Sequence, residues 1–324
     1  MPPTRHTRGV TTSVHVPRAA RFRQAEVAMW ASRGMRPEER WVRVPGLDIR
    51  VRALVHGEGR PVVFIHGTAK AAGVWSPLVE QMSGIRAIVL DRPGCGLSDP
   101  LPDLPNEPQA VRRAIDAYLS AIIDELADGR ADLVGNSAGG MVALTYAAIQ
   151  PSKVRTVVVE GVPAVEGMTL PLPLHAPRLT TLQRVIVNYR LSERELKMAF
   201  RLVGHWDMVA TRWMPQPDVA WRLALARHTD TYRHEMAMLG QTVTAAGPRP
   251  GWATSLEELA SIEAPALWIV GDRDPFAPKV GIEAWASRMR SSELHVMPRQ
   301  GHEPWMDDAP GNAAMIAAWW REQG

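Results

Sequence analysis

The sequence is poor in several things, and each shortage excludes something. One cysteine, Cys95, stands among 324 residues, so no intrachain disulfide can form and a cysteine-based metal cage is ruled out. Lysine is nearly absent: of 37 basic residues only Lys70, Lys153, Lys197 and Lys279 are lysines, and arginine supplies the rest. No run of 18 apolar residues occurs, so no membrane-spanning helix is expected. HExxH, GxGxxG and phosphate-loop patterns are all missing. His228 and His234, six apart, would point to different faces of one helix, so neither a metal nor a cofactor is expected.

Charge adds little. The net charge of +3 is small for this length, although residues 1–43 hold nine arginines against Glu26, Glu38 and Glu39. Such an arm could touch nucleic acid or anionic lipid. It carries no nucleic-acid motif and no interleaved aromatics, so a solvated or partner-packing extension over residues 1–40 is expected, with no nucleic-acid partner. The opening MPPTRHTRGVTTSVHVPRAARFRQ lacks the apolar centre of a secretory signal, which favours a cytoplasmic location. A homo-oligomer stays open.

What is present is a globular composition, 46% apolar and 22% charged. Residues 17–33 have a helical pattern. From Trp41, WVRVPG and DIRVRALVHG suit a hairpin. PVVFIHG, IRAIVLD, ADLVGN, VRTVVVEG, APALWIVG and ELHVMP are short apolar runs of the kind buried on both faces of a sheet. Helical patterns alternate with them: VWSPLVEQM, EPQAVRRAIDAYLSAIIDELA, SAGGMVALTYAAIQ and APKVGIEAWASRM. The expectation is an α/β fold, a mostly parallel doubly wound sheet. Residues 164–252 break the rhythm with MTLPLPLHAPRL and then helix-like runs, among them LTTLQRVIVNYR, and no strand candidate of the buried kind. We read them as an inserted helical cap on a core formed by residues 41–163 and 253–324.

Working residues of such a sheet gather at the carboxyl ends of its strands. The strand ends deliver His66-Gly67-Thr68, Asp91-Arg92, Asn136-Ser137, Asp272-Arg273-Asp274 and, last, His302. A serine, a carboxylate and a histidine therefore arrive in that order at one edge. Acyl transfer needs those three types: a base for the weak serine nucleophile, a carboxylate to fix the base's tautomer, and N–H donors for the oxyanion.

With HGT at 66–68, DRPGCGLSD at 91–99, GNSAGG at 135–140, GDRDP at 271–275 and GH at 301–302, residues 41–324 resemble an α/β-hydrolase with a helical cap. In that family GxSxG is a sharp strand–turn–helix that holds the serine exposed. The resemblance implies Ser137 as nucleophile, His302 as base and Asp274 as orienting acid, with the N–H groups of Thr68 and Ala138 as oxyanion donors. Asp272 would support the loop or pair with Arg273, and His66 would be structural. Some relatives place the acid after the preceding strand, which would nominate Glu160. A serine at 137 argues against dehalogenase and epoxide hydrolase chemistry, which use an aspartate there.

The cap is crowded with Trp, Tyr and Met, and Trp206, Trp213, Met208, Tyr232 and Met236 are the candidate pocket residues. They suggest a medium-sized apolar or aromatic small-molecule substrate. Ester or related acyl hydrolysis is the first expectation. Carbon–carbon hydrolysis of ring-cleavage products is the alternative, since GNSAGG resembles GNSMGG, although HGTAKAAGVW lacks GPG and His302 has no directly adjacent Trp. Cofactor-free haloperoxidase or lactonase activity uses the same triad, and a hormone-receptor-like binding protein is a further alternative.

Overall fold

A computed structural model describes residues 17–169, 191–244, 247–276 and 279–324. His175, Tyr189, the run LTTLQRVIVNYR and most of MTLPLPLHAPRL lie outside the described residues.

The apolar runs of the sequence form one eight-stranded sheet. Strands β1 (Glu38–Val44) and β2 (Ile49–His56) make the hairpin, with β1 beginning three residues before Trp41. Strands β3 (Arg60–Ile65), β4 (Ile85–Leu90), β5 (Ala131–Asn136) and β6 (Val154–Glu160) follow. Two two-residue strands, β7 (Val243–Thr244) and β8 (Gly247–Pro248), pair only with each other. Then come β9 (Ala266–Gly271) and β10 (Ser292–Met297). The sheet order is β1-β2-β4-β3-β5-β6-β9-β10, antiparallel at β1–β2–β4 and parallel from β4 onward. All six parallel strands therefore end at one edge, and their loops converge there.

Both sheet faces are covered. In β6, Val157 and Val159 join the core on one face and Val158 the core on the other, as the period-two geometry of a strand requires. Helices α3 (Pro108–Leu126) and α4 (Ala138–Ile149) supply Ile115, Tyr118, Val142 and Leu144 to the first core. The second core takes Trp319 and Trp320 from the last helix, Ala309–Gln323, and Trp305 from the short turn before it. Trp305 stacks on Trp75 at 4.2 Å, and its indole N–H donates to Val74 O at 3.1 Å. VWSPLVEQM makes only a 3₁₀ turn, Ala72–Trp75, and a one-turn helix α2 (Ser76–Val79), because Pro77 restarts the helical backbone.

The helical runs between β6 and β9 become α5 (Glu193–Leu202), α6 (Trp206–Thr211), α7 (Gln216–His228) and α8 (Thr231–Thr242). A bridge between Val165 and Thr254 brings the start and end of this inserted stretch together.

Residues 17–33 form α1 (Arg18–Ala31). It buries Phe22, Glu26, Met29 and Trp30, one face at helical spacing. Much of its basic character is neutralised within the chain. Arg33 pairs with Asp218 of α7 at 2.8 Å, Arg23 pairs with Glu39, and Phe22 meets Trp221 of α7 at 6.5 Å. Glu26 pairs with the buried Arg52, which also reaches Asp91 at 3.0 Å. From residue 17 on, the extension docks on this chain's own insertion and sheet, which charge counting alone does not reveal. Among the described residues, no helix is long and apolar enough to cross a membrane.

Candidate active site

Ser137 stands between the end of β5 and the first residue of α4 with φ +54° and ψ −120°. A non-glycine residue there stores about 1–3 kcal/mol of strain. The flanking glycines allow the sharp turn: a Cβ on Gly139 would sit 2.0 Å from Ile65 O, and one on Gly135 would sit 2.4 Å from Gly139 O. A Cβ on Gly67 would lie 2.7 Å from Asn136 Oδ1 and 3.1 Å from Ser137 Cβ, so the His66-Gly67-Thr68 loop lies directly against the serine.

His302 follows β10, and its Nδ1 is 2.8 Å from Asp274 Oδ2. That carboxylate is itself fixed, accepting from Val162 N–H at 2.9 Å and, through Oδ1, from Phe276 N–H at 3.1 Å. Phe276 also packs on the His302 ring at 4.2 Å. His302 Nε2 is buried and makes no hydrogen bond, and His302 and Ser137 line the same cavity. Asp272 does something different. Its Oδ1 accepts from Arg299 N–H at 2.7 Å, supporting the loop before His302, and Arg273 pairs instead with Asp207 of α6 at 3.0 Å.

Glu160 makes no hydrogen bond to His302. Both carboxyl oxygens are buried without a hydrogen-bond partner, and burial raises its pKa well above the carboxylate range. His66 is fully buried, and its Nε2 accepts from Arg92 N–H at 3.0 Å. Burial, together with the Arg92 charge, drives its pKa well down. Asn136 does not border that cavity. Its amide donates to Glu160 O at 2.6 Å and His302 O at 2.9 Å, and its Oδ1 accepts from Lys70 at 2.8 Å. It ties three strand-end loops together.

The cavity has a volume of about 420 Å³, and Thr68 and Ala138 also border it. The Ala138 amide, first of its helix, has no acceptor within the helix. Of the five pocket candidates, Tyr232 and Met236 line the cavity and three do not. Trp206 is 54% exposed, while Met208 belongs to the buried core of the insertion. Trp213 packs edge-on against Phe200 at 5.8 Å. Helix faces decide this: α5 turns Phe200 toward the cavity but Met198 and Leu202 to solvent.

The sequence reading also missed charge. The cavity wall is mostly apolar, with Met141, Met168, Leu196 and Phe200 on it, yet Lys70, Arg92, Arg222, Glu235 and Glu303 border it too. Arg92 pairs with Glu235 at 2.7 Å, and the same carboxylate oxygen accepts from Ala69 N–H at 3.1 Å. Lys70 and Arg222 share Glu303, at 3.1 and 3.5 Å. Burial alone would raise the Glu303 pKa, but the two cations outweigh it and hold it at about 2. Lys70 in the loop after β3 was the available signal, being one of only four lysines. Among the described residues no group of three or more His, Cys, Asp or Glu side chains could hold a metal ion.

This architecture defines a class. A sequence model of the alpha/beta hydrolase family matches residues 62–314. The chain belongs to that family, and its activity is that of a hydrolase. It is 26% identical over 266 residues to the 2-hydroxy-6-oxononadienedioate/2-hydroxy-6-oxononatrienedioate hydrolase 1 of Dechloromonas aromatica, covering 79% of this chain and 85% of that one. It is 27% identical over 271 residues to a 2-hydroxy-6-oxo-6-phenylhexa-2,4-dienoate hydrolase of Burkholderia cepacia, with 79% and 85% covered. The fold is similar to that of naproxen esterase from Bacillus subtilis (TM-score 0.68, 16% identity, 95% and 100% covered). It is also similar to a meta-cleavage product hydrolase from Pseudomonas fluorescens (TM-score 0.68, 19% identity, 88% and 98% covered).

Proposed function

We propose that the protein is a serine hydrolase that cleaves an ester or related acyl bond of a medium-sized small molecule through an acyl-enzyme. The observation that carries this is the 2.8 Å contact of His302 Nδ1 with Asp274, which leaves Nε2 unbonded in a residue that lines one cavity with Ser137. Asp274 holds the tautomer in which Nε2 is the free base. His302 takes the Ser137 proton as the hydroxyl attacks and returns it to the leaving group. The Thr68 and Ala138 amides receive the oxyanion. Residues 164–252 act as the cap that closes the substrate space. The test is turnover of short and medium p-nitrophenyl esters, lost in Ser137→Ala.

A second reading, carbon–carbon bond hydrolysis, has its own support. The relatives named above are called hydrolases of dienoates and dienedioates. On this cavity wall Lys70 and Arg222 share the single carboxylate of Glu303, which leaves one positive charge to receive a substrate carboxylate. Turnover of a carboxylated vinylogous diketone, with no turnover of simple esters, selects this reading.

A further inference from the structure

Residues 203–207 of the insertion meet the loops of the His302–Asp274 pair. Val203 O accepts the His302 N–H at 2.9 Å. His205 Nε2 accepts the Glu303 N–H at 3.1 Å. Its Nδ1 is 2.7 Å from Asp307 Oδ2, and that oxygen accepts the Gly301 N–H at 2.8 Å. Three consecutive amides around His302 are thus held by the insertion, or by the carboxylate that His205 engages. Asp207 extends the contact, reaching Arg273 beside the acid at 3.0 Å and Arg299 at 2.7 Å. Gly204 fits so closely that a Cβ there would lie 2.3 Å from Arg273 O.

His205 is fully buried and its protonation pattern is dictated by these partners. A nitrogen that accepts a backbone N–H carries no proton, so Nδ1 bears it and donates to Asp307. We infer that His205 is a positioning residue, fixing through the Glu303 amide where the His302 ring stands, so that the inserted helices set the geometry of the base. This rests on His302 being the base. A His–Asp pair that merely joins insertion to core would affect stability alone; a misplaced base loses rate, on the order of 10²-fold for 1 Å.

Two substitutions separate these roles. His205→Gln places a carbonyl near the Nε2 position, keeps an acceptor for Glu303 N–H and gives up Asp307. His205→Asn reaches only the Nδ1 position, keeps Asp307 and leaves the Glu303 N–H unmet. Each loses one hydrogen bond. With a p-nitrophenyl ester, His205→Asn is expected to lower kcat about 10- to 100-fold with KM within about threefold of the parent, while His205→Gln stays within about threefold in both. Equal kcat losses in the two, or parental kcat in His205→Asn, overturn the inference. Should His205→Asn not fold, Asp307→Ala decides. It removes the oxygen that accepts both Gly301 N–H and His205 Nδ1–H, so kcat falls about tenfold or more; parental kcat overturns the inference. Phosphonylation of Ser137 by a fluorophosphonate reports separately on the serine mechanism. If Ser137 is labelled and the His205 variants behave alike, only the positioning role is lost.

Discussion

Lys70 Nζ lies 3.1 Å from Glu303 Oε1, so the loop after β3 is tied by charge to the residue that follows His302. Both side chains are largely buried, 12% and 5% exposed. Removing one partner of such a pair strands a buried charge and costs about 3–5 kcal/mol. Glu303→Gln leaves both Lys70 and Arg222 without their carboxylate and is expected to lower the unfolding free energy by about 3 kcal/mol; Lys70→Met, which leaves Arg222 on Glu303, is expected to cost less, and the double variant less than the sum. Denaturant titrations of the four proteins measure this; simple additivity would mean that the two do not act as a pair.

The same carboxylate predicts an acid limit. Its pKa in the fold, about 2, lies below the ordinary value of 4.5, so its contribution is present above about pH 4.5 and lost as pH falls toward 2. Thermal scans of Glu303→Gln should show a shallower loss of stability over that window than the parent. An unchanged slope contradicts the assignment.

Glu160 titrates in the opposite sense. Burial raises its pKa well above 4.5, so the fold keeps it neutral while the unfolded chain ionises it. Its contribution is full below about pH 4.5 and declines as pH rises toward the folded value. Glu160→Gln should match the parent near pH 4 and gain on it by pH 8, with roughly 2–4 °C in melting temperature for each kcal/mol. Parallel curves over that range refute the explanation.

Asp274 and Asp272 make different contacts, and exchange of each for Asn separates them. Asp274→Asn should cost roughly 10⁴-fold in kcat, because an amide no longer holds the required imidazole tautomer. Asp272→Asn leaves the His302 contact in place and should cost less than about tenfold. Equal losses would mean that loop support, not tautomer control, governs the rate.

Gly67 meets the serine directly. Gly67→Ala forces a Cβ to within 2.7 Å of Asn136 Oδ1, and Asn136 is pinned by three hydrogen bonds. The loop must shift, and kcat is expected to fall about 10- to 100-fold. Steady-state kinetics at parental activity would mean that the loop absorbs the methyl group without moving the Thr68 amide.

The strands were legible because runs such as ADLVGN, buried on both sheet faces, are continuously apolar. The turn at Ser137 was legible because Gly135 and Gly139 have no room for a side chain. The charged wall was not: Lys70, Arg222 and Glu303 come from three distant loops and helices, and nothing local in the sequence pairs them. Aromatic content misled in the same way. Trp206 and Tyr232 are alike in composition, but only the helix face each occupies puts Tyr232 on the cavity and Trp206 in solvent. The N-terminal arginines read as free charge until Arg33 and Arg23 met their carboxylates in the fold.

The most direct test of the serine mechanism is intact-mass and peptide analysis after a fluorophosphonate reaction, run beside ester turnover. The account predicts one adduct, on Ser137, with turnover abolished in step, and Ser137→Ala unlabelled and slower in kcat by about 10⁶-fold. Turnover in Ser137→Ala at the parental rate, or stoichiometric labelling at another residue, would contradict it.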